Sequence, residues 1–184
     1  MDPRLVVGLG NDEKKYDHTP HNIGFLTLDA LAKRLKLSWK DEKDKVHAVA
    51  KGDVRFIKPR SLMNVSGTSV VWASAWWHIP PAEILVVCDD FALPWGRLRI
   101  RRKGSSGGHN GLDSVLKSFA TEDIARLRVG VGPVPEKMDA KDYVLRAQPV
   151  DRLHELANRA ADALSAILPE GFDAAMNHFN GVGI

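Results

Sequence analysis

One cysteine, two tyrosines and no apolar run approaching a bilayer span set the first limits on this 184-residue chain. A lone thiol cannot form an internal disulfide, and Cys88 sits inside the apolar run ILVVC. It reads as a buried core residue of a cytoplasmic protein kept in a reducing compartment. Short apolar runs exclude a transmembrane helix, and the start MDPRLVVGLG has neither the basic stretch nor the cleavage site of a secretory leader. Neither internal repeats nor low-complexity tracts are present. His18, His21, His47, His78 and His109 show no ligand spacing with cysteines or acids that defines a zinc site, so no metal is expected. GLGNDEKK lacks the further glycine of a dinucleotide-binding turn, and no cofactor is expected. A net charge of +3 is too small to establish a nucleic-acid partner, so the local distribution of charge matters more than the total. What remains, 44% hydrophobic and 27% charged, describes one ordinary globular domain over residues 1–184.

Leu5 to Leu9 is an apolar run closed by Gly10-Asn11, as expected of a strand buried on both faces. Thr19-Pro20 has the form of a helix start, threonine as N-cap and proline at the first helical position. The stripe Ile23, Leu26, Ala30, Leu31, Leu35 then keeps helical spacing and places His21 in the first turn. Val46 to Lys58 reads as two strands turning at Gly52-Asp53, with Arg60 to Asn64 as the loop beyond. A helix is expected from Ser66-Gly67 to Trp77, with its tryptophans in the core. Ile84 to Cys88 is a second buried strand, ended by Asp89-Asp90. Arg97 to Lys103 alternates, Leu98 and Ile100 opposing Arg97, Arg99, Arg101 and Lys103. The glycine-rich loop Gly104 to Gly111 leads into a helix at Leu112 to Phe119. Arg126 to Gly132 is a further strand, and Val150 to Leu168 and Phe172 to Phe179 are helical. Strands alternating with helices predict an α/β fold with a mostly parallel sheet, whose ligands bind beyond the carboxyl ends of the strands.

Asn11 and Asp89 fall at that position and Asn64 lies a few residues past it. Singly, each has a plain structural explanation: Asp89 and Asn64 as caps, and His21 as a surface residue. Their convergence makes a candidate site. His21 is the best general base in the chain, because the positive end of its helix disfavours imidazolium and leaves the ring able to accept a proton. Asp89 is placed to hold the other ring nitrogen. No serine or cysteine pairs with this histidine, so the nucleophile is a water, with Asn11, Asn64 and Asn110 positioning it and the scissile carbonyl. The arginine row feeding GSSGGHNG suits a phosphate-bearing polymer, and Arg126 and Arg128 would widen that patch.

GLGN, Tyr16, TPHNIGF, KPRSLMNVSG, DD followed by LPWG, GSSGGHNGL, RLRVGVG and the closing AAMNHFN run in one order along nearly the whole chain. In that order they resemble the bacterial peptidyl-tRNA hydrolase family. The resemblance implies a single α/β domain with a central mixed, twisted sheet flanked by helices, and a metal-independent esterase. Such an enzyme cleaves the ester joining a peptide to the 3′ end of tRNA, recycling tRNA from aborted translation. It implies His21 as catalytic base, Asp89 as the carboxylate stabilising it, and Asn11 as the residue distinguishing N-blocked from free aminoacyl-tRNA. It also implies Tyr16, Asn64 and Asn110 as tRNA or peptide-end contacts, Met63 on the peptide side, Leu62 in the binding loop, and Arg101 and Arg128 gripping the tRNA 5′ phosphate. A monomer with tRNA as its partner is expected, although some proteins of this fold bind RNA without catalysis. The chain departs from the pattern at Asp12-Glu13 (usually Pro-Gly), Pro20 (Arg), Leu62 (an aromatic), Ala92 (Asp), and Ser105 and Ser106 (glycines).

Overall fold

Apolar runs too short for helices and flanked by turn residues become the centre of a seven-stranded sheet in the order β2-β3-β4-β1-β5-β7-β6, seen in a computed structural model that describes residues 2–181. The strands are β1 (Leu5–Gly8), β2 (Lys40–Glu42), β3 (Val46–Lys51), β4 (Val54–Pro59), β5 (Ile84–Pro94), β6 (Leu98–Arg101) and β7 (Ala125–Gly132). The central strands β4, β1, β5 and β7 are parallel, and β2, β3 and β6 are added antiparallel at the two sides. This is the expected mixed sheet, parallel where it is buried on both faces.

Alternation along β1 divides the core in two. Val6 points with Leu85, Val87, Leu127 and Val129 toward α1 (Ile23–Arg34) and α5 (Val150–Phe179). Leu5 and Val7 point with Val86, Cys88 and Ile57 toward α2 (Ser66–Trp76) and α3 (Asn110–Phe119). Cys88 is buried as expected, and burial pushes its thiol up to about 12. The long α5 is broken at Gly171 (φ 82°, ψ 175°), matching the two helical segments expected from the sequence. Beyond the break, Asn180 sets its side-chain amide against the outer edge of β6. Its Oδ1 accepts from Ile100 N at 2.7 Å and its Nδ2 donates to Ile100 O at 3.2 Å, so this stretch of edge is covered rather than left open to pairing.

Several expectations need correction. Thr19 does not cap a helix: its hydroxyl donates to Tyr16 O at 2.8 Å, Pro20–Asn22 forms a 3-10 turn, and α1 begins only at Ile23. The run ending in Asp89-Asp90 continues as strand to Pro94, with its register against β7 shifting after Asp90. Trp76 is 54% exposed and stacks on Trp72 at the surface. The short β2 and a one-turn α4 (Ala140–Val144) lacked periodicity enough to be foreseen. The helix α3 starts at Asn110, two residues before the expected Leu112.

Candidate active site

The turn carrying His21 is pressed against the strand ends because position 24 is glycine. A Cβ there would lie 2.4 Å from the main-chain N and O of Leu9 and 2.5 Å from Val87 O. That close approach sets the Pro20–Asn22 turn over the end of β1 and the middle of β5, where the pairing of the two strands stops at Gly8 and Val87 and Asn11 and Asp89 were expected to face a ligand.

The central contact is His21 Nδ1 to Asp89 Oδ1 at 2.8 Å, with the carboxylate 3% exposed and the imidazole 11% exposed. A second ring, His109, meets the same oxygen through Nε2 at 2.9 Å. His109 also caps α3, because its Nδ1 accepts the Leu112 N–H at 3.1 Å. That bond fixes its tautomer: Nδ1 is bare, so Nε2 carries the proton donated to Asp89. His21 shows the complementary pattern, donating Nδ1–H to Asp89 and leaving Nε2 with no hydrogen-bond partner among the described residues. The two rings lie 4.8 Å apart at 40°.

Burial alone would push the Asp89 acid up. Electrostatic attraction and hydrogen bonds from the ring N–H groups of His109 and then His21 reverse this and hold it well below the usual carboxylate range. For His21, burial pulls the other way, lowering its basicity, but the Asp89 charge and hydrogen bond outweigh it and raise the pKa above 6.5. The expectation that the helix end disfavours imidazolium is therefore overturned: the carboxylate wins, and His21 is a strengthened base.

Of the expected site residues, His21, Asp89, Asn110 and Arg128 line one cleft, together with His109, Phe91, Lys141 and Leu145. Asn11 does not line it but is fixed beside it. Asn22, 2% exposed, accepts Asn11 N–H on its Oδ1 at 2.8 Å and donates from Nδ2 to Asn11 O at 3.0 Å. Met63 is buried against the start of α3; a Cβ at Gly111 would fall 2.4 Å from its Sδ. Asn64 stands exposed on the adjoining Met63–Val65 turn, next to Leu62 at 65% exposure. Tyr16 closes the 3-10 turn Lys14–Tyr16, half-buried, ahead of the His21 turn.

The basic strand divides. Arg97, Arg99 and Arg101 are exposed, and their guanidinium groups make no hydrogen bond or ion pair among the described residues. Arg126 and Arg128, paired in register with Arg101 and Arg99, are instead 1% and 9% exposed. They brace the glycine loop: Arg126 Nη1 and Arg128 Nη2 each donate to Ser105 O at 2.9 Å, and Arg128 Nη1 pairs with Asp90 at 3.3 Å. Arg128 is thus a buried strut in the cleft wall, not part of an open phosphate-gripping patch.

His109 and Asn22 were the residues sequence reasoning missed. His109 was visible as part of GGHNG, but nothing in the spacing said it would share the carboxylate of Asp89. His21, Asp89 and His109 bring ligand atoms within 4.8 Å of one another, close enough for a cation. Each ring nitrogen aimed at Asp89 carries a proton in the observed pattern, so a cation there would have to displace both hydrogen bonds.

The family model for peptidyl-tRNA hydrolase matches residues 5–183. The peptidyl-tRNA hydrolase of Chloroflexus aggregans is 42% identical, with 96% of this chain and 98% of the relative covered. That of Fervidobacterium nodosum is 40% identical, with 98% and 97% covered. Among solved structures, peptidyl-tRNA hydrolase from Acinetobacter baumannii superposes with a TM-score of 0.87 at 33% identity, over 98% of this chain and 96% of that one.

Proposed function

The chain belongs to the peptidyl-tRNA hydrolase family and is an ester hydrolase acting on peptidyl-tRNA, and from that premise we propose that His21 is its general base, acting on water through Nε2. The observation that carries this reading is the 2.8 Å bond from His21 Nδ1 to a buried Asp89, which leaves Nε2 bare and basic at the cleft. Nε2 takes a proton from a water whose oxygen attacks the ester carbonyl carbon. Asp89 stabilises the imidazolium that forms, as a carboxylate does in hydrolytic triads. Asn110, at the mouth of α3, and the amides of Asn11 and Asn64 donate to the oxyanion and the peptide end. Collapse breaks the bond to the 3′ oxygen of tRNA, which recovers the proton from His21. Products are a free peptide acid, which gives up its remaining proton to solvent as a carboxylate, and tRNA with its 3′ hydroxyl restored.

His109 in this reading fixes the Asp89 carboxylate from the second side, so that its oxygen cannot turn away from His21. The His21–Asp89–His109 cluster serves proton transfer, and the reaction needs no metal. Arg101, with Arg99 and Arg97, forms the face that meets tRNA phosphates; Tyr16, Leu62 and Met63 border the end carrying the ester. We place the enzyme in the cytoplasm as a monomer, in keeping with a tRNA substrate; among the described residues no helix is long and apolar enough to cross a membrane. The test is incubation of the pure protein with N-acetylated aminoacyl-tRNA. The parent should release the acyl group, and His21→Ala should slow release by on the order of 100- to 10,000-fold while still binding tRNA. A parent-like rate in His21→Ala would remove the assignment, and an inert parent would favour an RNA-binding role without catalysis.

A further inference from the structure

A second network of ionisable groups joins the segment after β1 to the segment after β4. Asp12, the residue next to Asn11, accepts His47 Nε2 on one carboxylate oxygen at 2.8 Å and Arg60 Nε on the other at 3.1 Å. His47 lies in β3, and Arg60 follows the last residue of β4 and opens the stretch leading to Leu62, Met63 and Asn64. Arg60 is itself held. Its Nη1 donates to Asp41 and, at 3.1 Å, to Asp44, and its backbone N–H donates to Lys45 O at 3.0 Å.

The side chains of Asp12, His47 and Arg60 are 31%, 27% and 30% exposed. Ion pairs so open to water contribute little to stability. What the network does supply is geometry. The Asn11–Asp12 stretch is fixed from one side by the Asn22 amide through both main-chain atoms of Asn11, and from the other by His47 and Arg60 through both carboxylate oxygens of Asp12. The Arg60 end of the same link sets where the Leu62–Asn64 segment leaves the sheet.

We propose that Asp12, His47 and Arg60 are positioning residues for the hydrolysis, a clamp that holds the Asn11 and Asn64 segments in one fixed relation at the ester-bearing end of the substrate. The clamp rests on the reading of Asn11 and Asn64 as substrate-end amides. It acts on alignment of the ester with His21 and not on the grip on the tRNA body, which belongs to the arginines of β6 on the far side of the sheet order.

The experiment compares Asp12→Ala, Arg60→Ala and the double variant with the parent on N-acetylated aminoacyl-tRNA, with deacylated tRNA as inhibitor and thermal unfolding measured alongside. Each single variant should lower kcat by about tenfold, because a small misplacement near the reacting bond is costly. KM, the inhibition by deacylated tRNA and the melting temperature should stay close to the parent. The double variant should lose no more than the worse single one, since both break the same link. Asp12→Asn keeps an acceptor for His47 but loses the pair with Arg60, and should fall between. Should Asp12→Ala fail to fold, Arg60→Lys, which keeps the charge and loses the fork, carries the same test. Parent-like kcat in these variants, losses that add in the double variant, or a lowered melting temperature with kcat unchanged would each overturn the clamp. His21→Ala in the same plate separates the two ideas. If it is inactive while the Asp12 variants are parent-like, only the clamp falls; if it is fully active, the functional reading falls first.

Discussion

Replacing Asp89 by Asn changes one charge in the least exposed part of the site and leaves the volume nearly constant. In the parent, Asp89 Oδ1 receives His21 Nδ1 at 2.8 Å and His109 Nε2 at 2.9 Å. An amide in its place can accept one of these N–H groups through its oxygen, but its own NH₂ competes for the other ring. In the transition state His21 has gained a proton, so the interaction at stake is imidazolium with carboxylate. At roughly 4 Å between charge centres and an effective dielectric of about 20, that attraction is about 4 kcal/mol. With tenfold in rate for each ~1.4 kcal/mol, the ceiling on the loss in kcat is on the order of 1,000-fold, and 100- to 1,000-fold is expected. The pH dependence moves as well. In the parent the working base is unprotonated His21, so kcat/KM should climb as pH rises through a value above 6.5 and then level off. Without the carboxylate only the effect of burial remains, and the rising limb should shift to lower pH while the plateau falls. The same raised value makes the His21–Asp89 pairing contribute to stability fully below pH 6.5 and progressively less as pH rises through the folded-state value. Single-turnover hydrolysis of N-acetylated aminoacyl-tRNA between pH 5 and 9 is the assay. An Asp89→Asn enzyme with a plateau within about threefold of the parent, or with its limb unmoved, would refute the argument.

Arg101→Ala should weaken tRNA binding and flatten its salt dependence, with the log–log slope reduced by about 1, while kcat and melting temperature stay near the parent. Arg128→Ala should behave in the opposite way, leaving the Asp90 carboxylate without its counter-charge and Ser105 O with Arg126 alone, and destabilising the fold by about 3 kcal/mol, read as an earlier urea midpoint. Gly24→Ala, whose Cβ meets backbone and not flexible side chain, should cost about 1–3 kcal/mol and slow hydrolysis by displacing His21; parent-like stability would contradict the close approach.

How much of this was legible in the sequence depends on whether the signal was local. β1, the Gly52-Asp53 hairpin, the alternation of β6 and the two parts of α5 all announced themselves through apolar periodicity and turn residues. His21 and Asp89 could be paired because a helix start after one buried strand and the close of the next apolar run fall at the same edge of a parallel sheet. The partners that come from folded-back loops were hidden. Arg126 and Arg128 alternate in β7 as an exposed strand would, and only the return of the Gly104–Gly108 loop, with Ser105 O over them, buries them. His109 sits in a glycine-rich stretch with no period, so its part in holding Asp89 is a tertiary fact. The protonation state expected for His21 followed the nearest local feature, a helix start, whereas a carboxylate distant in sequence but 2.8 Å away in space decides it.

The most direct test of this account is the protonation pattern of the two rings, read by ¹⁵N NMR of selectively labelled histidine at pH 8–9. His21 should carry its proton on Nδ1 with Nε2 bare, and His109 should carry its proton on Nε2 with Nδ1 bare. His21 in the Nε2–H tautomer would place a proton where the base must be and contradict the assignment at its root.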